Sequence, residues 1–475
     1  MEAMYPVELL QSAANVSPKE IGLDSGIDSV NFLQLNNLIE RLAEALKREG
    51  VRRGDIIVTR LPERFDYFFT LATWHLGAVN CSSHLPSYAE LQNIAGFIVT
   101  NDPTGTKGFR SILVTEDWFK SALSQGRSVD YVRPNPSDLA RLVLTSGTTG
   151  NRKLVPLSYS DLSIRVQARA KRRFSHGHEF SMYGPSTSGT AGAITLALHE
   201  SKPYFLSGLE TSFAGARSLF QKYEFTSLAG TPSQLLSFFE GALREGLNLS
   251  AVSEVRTAGT TPSKKLAKIV NDTVGVQLTI AYGSSETGVT NVKFGLDETS
   301  PTNVGPTVHG AELEIVNDDF EPIPMGMVGQ IRCKTGSMVP GYYMADSPSF
   351  RDGWFYPGDL GFIDKDGNLH LSGRASERLN LSGIKIDPLT LDSKLKDVHG
   401  VEDVGTFQYV ATSGKDTLGI ALVTSTKDKT KDALIETIKR SVELRGGVEV
   451  FIVDVIPRNA MGKVDRLKLS SIQSA

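Results

Sequence analysis

Over roughly its first 290 residues the chain switches repeatedly between two hydrophobic periods, and this alternation constrains its fold more than any other feature. Leu35, Leu38, Ile39, Leu42 and Leu46 recur at helical spacing, and Gly50 marks the end of that helix. Ile56, Ile57 and Val58 follow as a short buried strand, and Phe65 to Leu76 reads as a helix with an aromatic core face. Helix and strand in turn predict an α/β architecture. From about residue 304 the pattern becomes β-rich. Glu312 to Val316 and Gly329 to Cys333 read as strands, with turns at Pro324 to Gly326 and at Asp366-Gly367. After Arg374 come strand-like runs at Val401 to Gly405, Leu418 to Val423 and Val448 to Val455. Between them lies a helix with Leu434, Ile435, Ile438 and Val442 on one face. A chain of 475 residues exceeds one ordinary domain. The expected organisation is a large α/β domain with a β-rich section over residues 1–375 and a small α+β domain over residues 376–475.

Charge excludes some partners. Fifty basic against 53 acidic residues leave a net charge of -3, which provides no global field for nucleic acid or an anionic membrane. The basic run Arg169, Lys171, Arg172 and Arg173 is expected on a solvated helix face. Cys81 and Cys333 are too far apart in sequence for zinc spacing or a disulfide framework, and are expected to be buried thiols. MEAMYPVELLQ lacks a basic region followed by an apolar run, and no apolar stretch approaches the ~20 residues of a membrane helix. A cytoplasmic location is the expectation.

Four segments carry chemistry. The first is LTSGTTGNRK, Leu144 to Lys153, between two apolar runs. Gly147 and Gly150 let the backbone approach phosphate oxygens closely. Ser146, Thr148 and Thr149 supply hydroxyls, and Lys153 adds a cation. A polar surface loop has the same composition. It is not a Walker A loop: two residues separate the glycines, and Leu154 follows the lysine. The second is AYGSSETG, Ala281 to Gly288, where Tyr282 could stack on a purine and Glu286 could hold Mg²⁺ through oxygen. A strand-to-turn with a solvated Glu fits equally. The third is GWFYPGDLG, with Asp359, followed by Gly373-Arg374. A carboxylate buried there needs partners, such as ribose hydroxyls, while a capping Asp is the simpler alternative. The fourth is PRNAMGKVDR, with Lys463, whose type alone is commonplace on a surface.

In this order and spacing the four segments resemble the adenylate-forming superfamily: acyl- and aryl-CoA synthetases, luciferases and adenylation domains of peptide synthetases. The resemblance spans nearly the whole chain. Arg152 replaces a usual proline in the loop, and Pro357 replaces the usual Thr before Gly358-Asp359. The resemblance implies ATP and Mg²⁺. Thr145, Ser146, Gly147, Thr148, Thr149, Gly150 and Lys153 would cradle the β- and γ-phosphates. Tyr282 and Gly283 would flank adenine with Gly259 opposite and Ser285 nearby, Glu286 would bind Mg²⁺, and Asp359 and Arg374 would hold the ribose. Lys463 would be the catalytic lysine. It also implies that the C-terminal domain is mobile. GRASERLNLSGIKIDP matches the hinge segment, with Ser376 where Asp or Lys is usual, and Gly383 would border the channel for a thiol.

The acid is less defined. By the same resemblance, the segment MYGPSTSGTAG, Met182 to Gly192, lines the acyl pocket, here with Tyr183, Ser186, Ser188 and Gly189, together with Gly230 further along the chain. It contains no His and no Asp, which argues against an α-amino acid, since an unpaired buried ammonium is costly. Its small residues suit a bulky aryl or medium acyl group, or equally a tight Gly-rich loop. No carrier segment follows Ala475 in this sequence, so coenzyme A is the expected acceptor. The alternatives are loading of a separate acyl carrier protein, amide formation, or a non-catalytic nucleotide-binding regulatory relative.

Overall fold

The computed structural model describes residues 3–83, 91, 94–124, 130–145, 153–172, 177–206, 213–296, 302–375, 379–381, 384–386, 388–411, 416–425, 429–442, 447–458 and 464–470. Among these, a first sheet runs in the order Ser111–Leu113, Phe97–Thr100, Ile56–Arg60, Val79–Ser82, Leu139–Leu144, Leu154–Ser158. It is parallel except for the last pair. Ile56, Ile57 and Val58 are all buried, as expected of a strand covered on both faces.

A second sheet runs Gly288–Phe294, Leu278–Ser284, Glu254–Ala258, Phe225–Gly230, His178–Ser181, and is parallel except for its first pair. The helices Pro6–Val16, Tyr159–Arg172 and Ser188–His199 share one core with the first sheet, which includes Leu10, Val166, Ile194, Ile57 and Val99. Helix Phe32–Arg48 begins at Asn31, which forms a reciprocal capping box with Gln34, and carries Lys47 and Arg48 at its negative end. Helix Glu63–His75 differs from expectation. It is buried from Asp66 to His75 on all sides, not on one aromatic face, because other helices and the sheet enclose it.

The β-rich section forms an antiparallel sheet built on Asn303–Pro306, Asn368–Arg374, Asp359–Ile363 and Gly329–Thr335, with Ala311–Val316 paired to the last of these. Beyond residue 376, Asp403–Val410, Asp416–Val423 and Val448–Ile452 make a three-stranded sheet with helix Lys429–Ser441. Leu379, Leu395, Val404, Leu418, Ile420, Leu434 and Ile438 form a core there that includes no described residue before Leu379. Among the described residues no helix is long and apolar enough to cross a membrane. Cys81 and Cys333 are free and buried, as expected, and burial pushes each thiol up to about 12.

Candidate active site

The carboxyl ends of neighbouring parallel strands are where open α/β sheets place ligands. Here those ends deliver Thr145 from the first sheet and Gly230, Gly259 and Tyr282 from the second. Leu144 pairs with Leu154 across the mouth of the Gly/Ser/Thr loop. The Thr145 N–H donates to the Lys153 carbonyl at 2.8 Å, and the Lys153 N–H donates to Thr145 Oγ1 at 3.2 Å. This clasp closes the neck of the loop. Ser146, Gly147, Thr148, Thr149 and Gly150 lie outside the described residues.

The strand Leu278–Ser284 carries Tyr282 and Gly283 into a tight turn. A Cβ on Gly283 would sit 2.1 Å from the Gly288 carbonyl oxygen, so only glycine permits the two limbs to approach this closely. Ser284 Oγ then accepts the N–H groups of Glu286 and Thr287 at 3.2 and 3.3 Å. Glu286 is 7% exposed rather than solvated. Its Oε1 accepts the Tyr342 hydroxyl at 2.9 Å. Ser285 lies in the same turn, and its carbonyl is held by a residue the sequence did not flag. Arg165, on the helix Tyr159–Arg172, donates to the carbonyls of Ser285, Glu286 and Ser337 at 2.9, 3.2 and 2.9 Å. Burial brings its guanidinium down to about 10, so it remains charged at neutral pH.

Asp359 and Arg374 face each other as register partners in adjacent antiparallel strands. Arg374 Nε lies 2.8 Å from Asp359 Oδ1, and Arg374 Nη1 donates to the Pro357 carbonyl at 2.8 Å. The Tyr282 hydroxyl donates to Asp359 Oδ2 at 2.7 Å. Burial, reinforced by the neighbouring Asp359 carboxylate, holds the Tyr282 hydroxyl well above its ordinary value, so it is a neutral donor. Gly259 follows the strand Glu254–Ala258 with φ +100°, one position beyond the Ala258–Ala281 pair, and so lies beside Tyr282. Tyr282, Asp359 and Arg374 thus form one connected polar unit.

The residues expected at the acyl pocket fall together in part. The Tyr183 hydroxyl donates to the Gly230 carbonyl at 3.2 Å, and a Cβ built on Gly189 would lie 3.9 Å from Tyr183 Cδ2. Ser188 opens the helix Ser188–His199, whose N-cap is Thr187, and Ser186 lies in the turn just before it. In the basic run next to this segment Lys171 is exposed, as expected, Arg173 lies outside the described residues, and Arg169 departs from expectation. Arg169 does not face solvent: it pairs with Glu179, which also pairs with Arg256, and all three side chains are largely buried. Arg169 Nη1 also donates to the Gly189 carbonyl at 3.2 Å, so this one charge of the helix faces the interior. Burial also pushes the Tyr183 hydroxyl up to about 12.

Ser376, Gly383 and Lys463 lie outside the described residues. The frame around Lys463 is described: Arg458 bridges to Val464, and the Asp465 N–H donates to the Pro457 carbonyl at 2.8 Å. Arg466 Nη2 then bonds Asp392 Oδ2 at 2.6 Å, while Asp392 Oδ1 accepts the Thr406 N–H at 2.7 Å. Arg165 and Tyr342 are the residues that sequence reasoning missed. Arg165 belongs to a visibly basic helix, but nothing local shows its three carbonyl partners. Tyr342 sits in VPGYYMAD, which has no periodicity or spacing to single it out.

Known proteins resemble this chain over its length. The model of the family described as "AMP-binding enzyme" matches residues 97–343. The 4-coumarate–CoA ligase 4 of Arabidopsis thaliana is 22% identical, over 93% of this chain and 85% of its own. The ATP-bound structure of MatB from Rhodopseudomonas palustris superimposes with a TM-score of 0.84 at 19% identity, covering 98% of each chain. The o-succinylbenzoate coenzyme A synthetase (MenE) from Bacillus subtilis, in complex with ATP and magnesium ion, gives 0.82 at 20% identity, covering 97% of this chain and 98% of that one. At such identities the two structures speak for the fold. The family match takes in the strand ends, the Gly/Ser/Thr loop and the glutamate turn, more than half the chain, and on it the chain belongs to the AMP-binding, adenylate-forming enzymes.

Proposed function

We propose that the protein activates a carboxylic acid with ATP, releasing pyrophosphate and forming an acyl-adenylate, and then passes the acyl group to the thiol of coenzyme A. The observation that carries this reading is that Tyr282, Asp359 and Arg374 form one polar unit, while Glu286, in the turn that follows Tyr282, is joined through Tyr342 to Lys153. In this reading Asp359 accepts ribose hydroxyls, with Arg374 fixing its orientation. The Tyr282 ring and the Gly259 backbone flank the base. Thr145 to Lys153 wraps the phosphates. The relatives named as CoA ligases support the choice of thiol.

Glu286 fits Mg²⁺. Oε1 is taken by Tyr342, and among the described residues no donor reaches Oε2. No group of three His, Cys, Asp or Glu side chains gathers there among the described residues. One carboxylate supplemented by phosphate oxygens is a common way to hold this ion. Bound there, Mg²⁺ would offset phosphate charge as the carboxylate attacks. Lys463 would add charge at the α-phosphate. The segment from 376 onward, built around its own core, would turn about Ser376 and present Gly383 to the thiol.

The test is acid-dependent pyrophosphate release with ATP and Mg²⁺ over a panel of aryl, acyl and amino acids, with and without coenzyme A. Acid-driven release that coenzyme A accelerates, with thioester appearing, is the expected result. Release that ignores coenzyme A would redirect the acceptor to a carrier protein or an amine. ATP binding with no release for any acid would favour a regulatory, non-catalytic role.

A further inference from the structure

Tyr342 touches two of the motifs at once. Its hydroxyl donates to Glu286 Oε1 at 2.9 Å, and Lys153 Nζ lies 4.4 Å from its ring centroid. The backbone on each side is tied to the same two places. The Val339 N–H donates to the Glu286 carbonyl at 2.9 Å, and the Tyr343 N–H donates to the Leu154 carbonyl at 2.8 Å. The segment therefore straps the glutamate turn to the strand that leaves the phosphate loop. The tyrosine is itself fixed, by its N–H to Ser347 Oγ at 2.8 Å and by an edge contact with Phe350 at 5.4 Å between centroids.

We infer that Tyr342 is a positioning residue: its hydroxyl fixes the Glu286 carboxylate and its ring seats the Lys153 ammonium, so that the metal ligand and the phosphate-loop cation keep a set separation. The inference rests on the proposed reading of Glu286 as the Mg²⁺ ligand. Tyr342 acts through these two groups and not on reacting atoms. A hydroxyl bonded to one carboxylate oxygen restricts the side chain to one rotamer and leaves the second oxygen for a cation. The ring face attracts the ammonium through its quadrupole.

Two variants separate the two contacts. Tyr342→Phe keeps the ring, its packing on Phe350 and the Lys153 contact, and removes only the hydroxyl. In the pyrophosphate assay at saturating ATP and acid, it should raise the half-saturating Mg²⁺ concentration roughly tenfold, with the KM for the acid unchanged. Tyr342→Leu should show the same Mg²⁺ shift and, in addition, a higher KM for ATP. Melting temperatures confirm that both variants fold, and Glu286→Gln is run alongside. An unchanged Mg²⁺ curve in Tyr342→Phe, with a shifted curve in Glu286→Gln, overturns the positioning role and leaves the Glu286 reading intact. A Mg²⁺ curve in Glu286→Gln identical to that of the parent protein removes that reading and this inference with it. A rise in the KM for the acid in proportion to the Mg²⁺ shift would mark general loosening and also overturn it.

Discussion

Replacing Arg165 by methionine removes a guanidinium that serves three backbone carbonyls and leaves a side chain of similar length. The three acceptors do not suffer equally. The Glu286 carbonyl still receives the Val339 N–H at 2.9 Å, so it stays paired. The Ser285 and Ser337 carbonyls lose the donor that holds each of them among the described residues. An orphaned buried acceptor costs about 1–3 kcal/mol; Ser337 is buried and Ser285 only partly so, which puts the two together at about 2–4 kcal/mol. That cost falls on the turn that carries Glu286 and on the adjoining Ser337 loop, not on the distant cores. Arg165→Met should therefore raise amide hydrogen exchange at Glu286, Thr287 and Val339 by roughly 30-fold or more, with little change at the centre of the first sheet. It should also raise the Mg²⁺ requirement for pyrophosphate release. Arg165→Lys should fall between, because one ammonium cannot span three carbonyls in a fixed fork. Unchanged exchange at these amides in a folded Arg165→Met protein would refute the reasoning.

Three further outcomes are expected. Lys463→Ala should cripple adenylate formation from acid and ATP yet spare thioester formation from supplied acyl-adenylate; equal loss in both half-reactions would sink the two-conformation reading. Gly383→Leu should block thioester formation and leave pyrophosphate exchange largely intact, and survival of both half-reactions would mean that the thiol channel is misplaced. Burial acts to raise the Asp24 carboxyl, but hydrogen bonds from Lys222, the Gly26 N–H and Tyr223 outweigh it, so the folded value is depressed. The stability this supplies is present above the ordinary carboxylate value and is lost as pH falls through the depressed folded value. Asp24→Asn should accordingly lower the melting temperature at pH 7 and narrow the difference between the two proteins toward pH 3; a pH-independent difference would count against it.

The motifs were legible because each is short. A tight turn needs Gly283, a loop proposed to wrap phosphates needs glycines among hydroxyls, and both needs are met within ten residues of chain. The alternation of periods likewise revealed the α/β layers and the β-rich section, since burial on one or both faces leaves its mark residue by residue. What could not be read was which distant backbone a side chain would meet. Arg169 had the spacing of a solvated face, but the edge strand His178–Ser181 brings Glu179 against it and turns that charge inward.

By itself, the sequence determined the class of fold and the family, and singled out the segments that are candidates for holding a nucleotide, because these depend on local backbone freedom and on residue chemistry. Only the tertiary structure decided that Tyr282, Asp359 and Arg374 form one unit, that Arg165 holds the glutamate turn from 120 residues away, and that Tyr342 bridges Glu286 and Lys153. The physical reason is that sheet register and helix packing set these meetings, and hydrophobic pattern fixes which face of an element is buried without naming the polar partner across it.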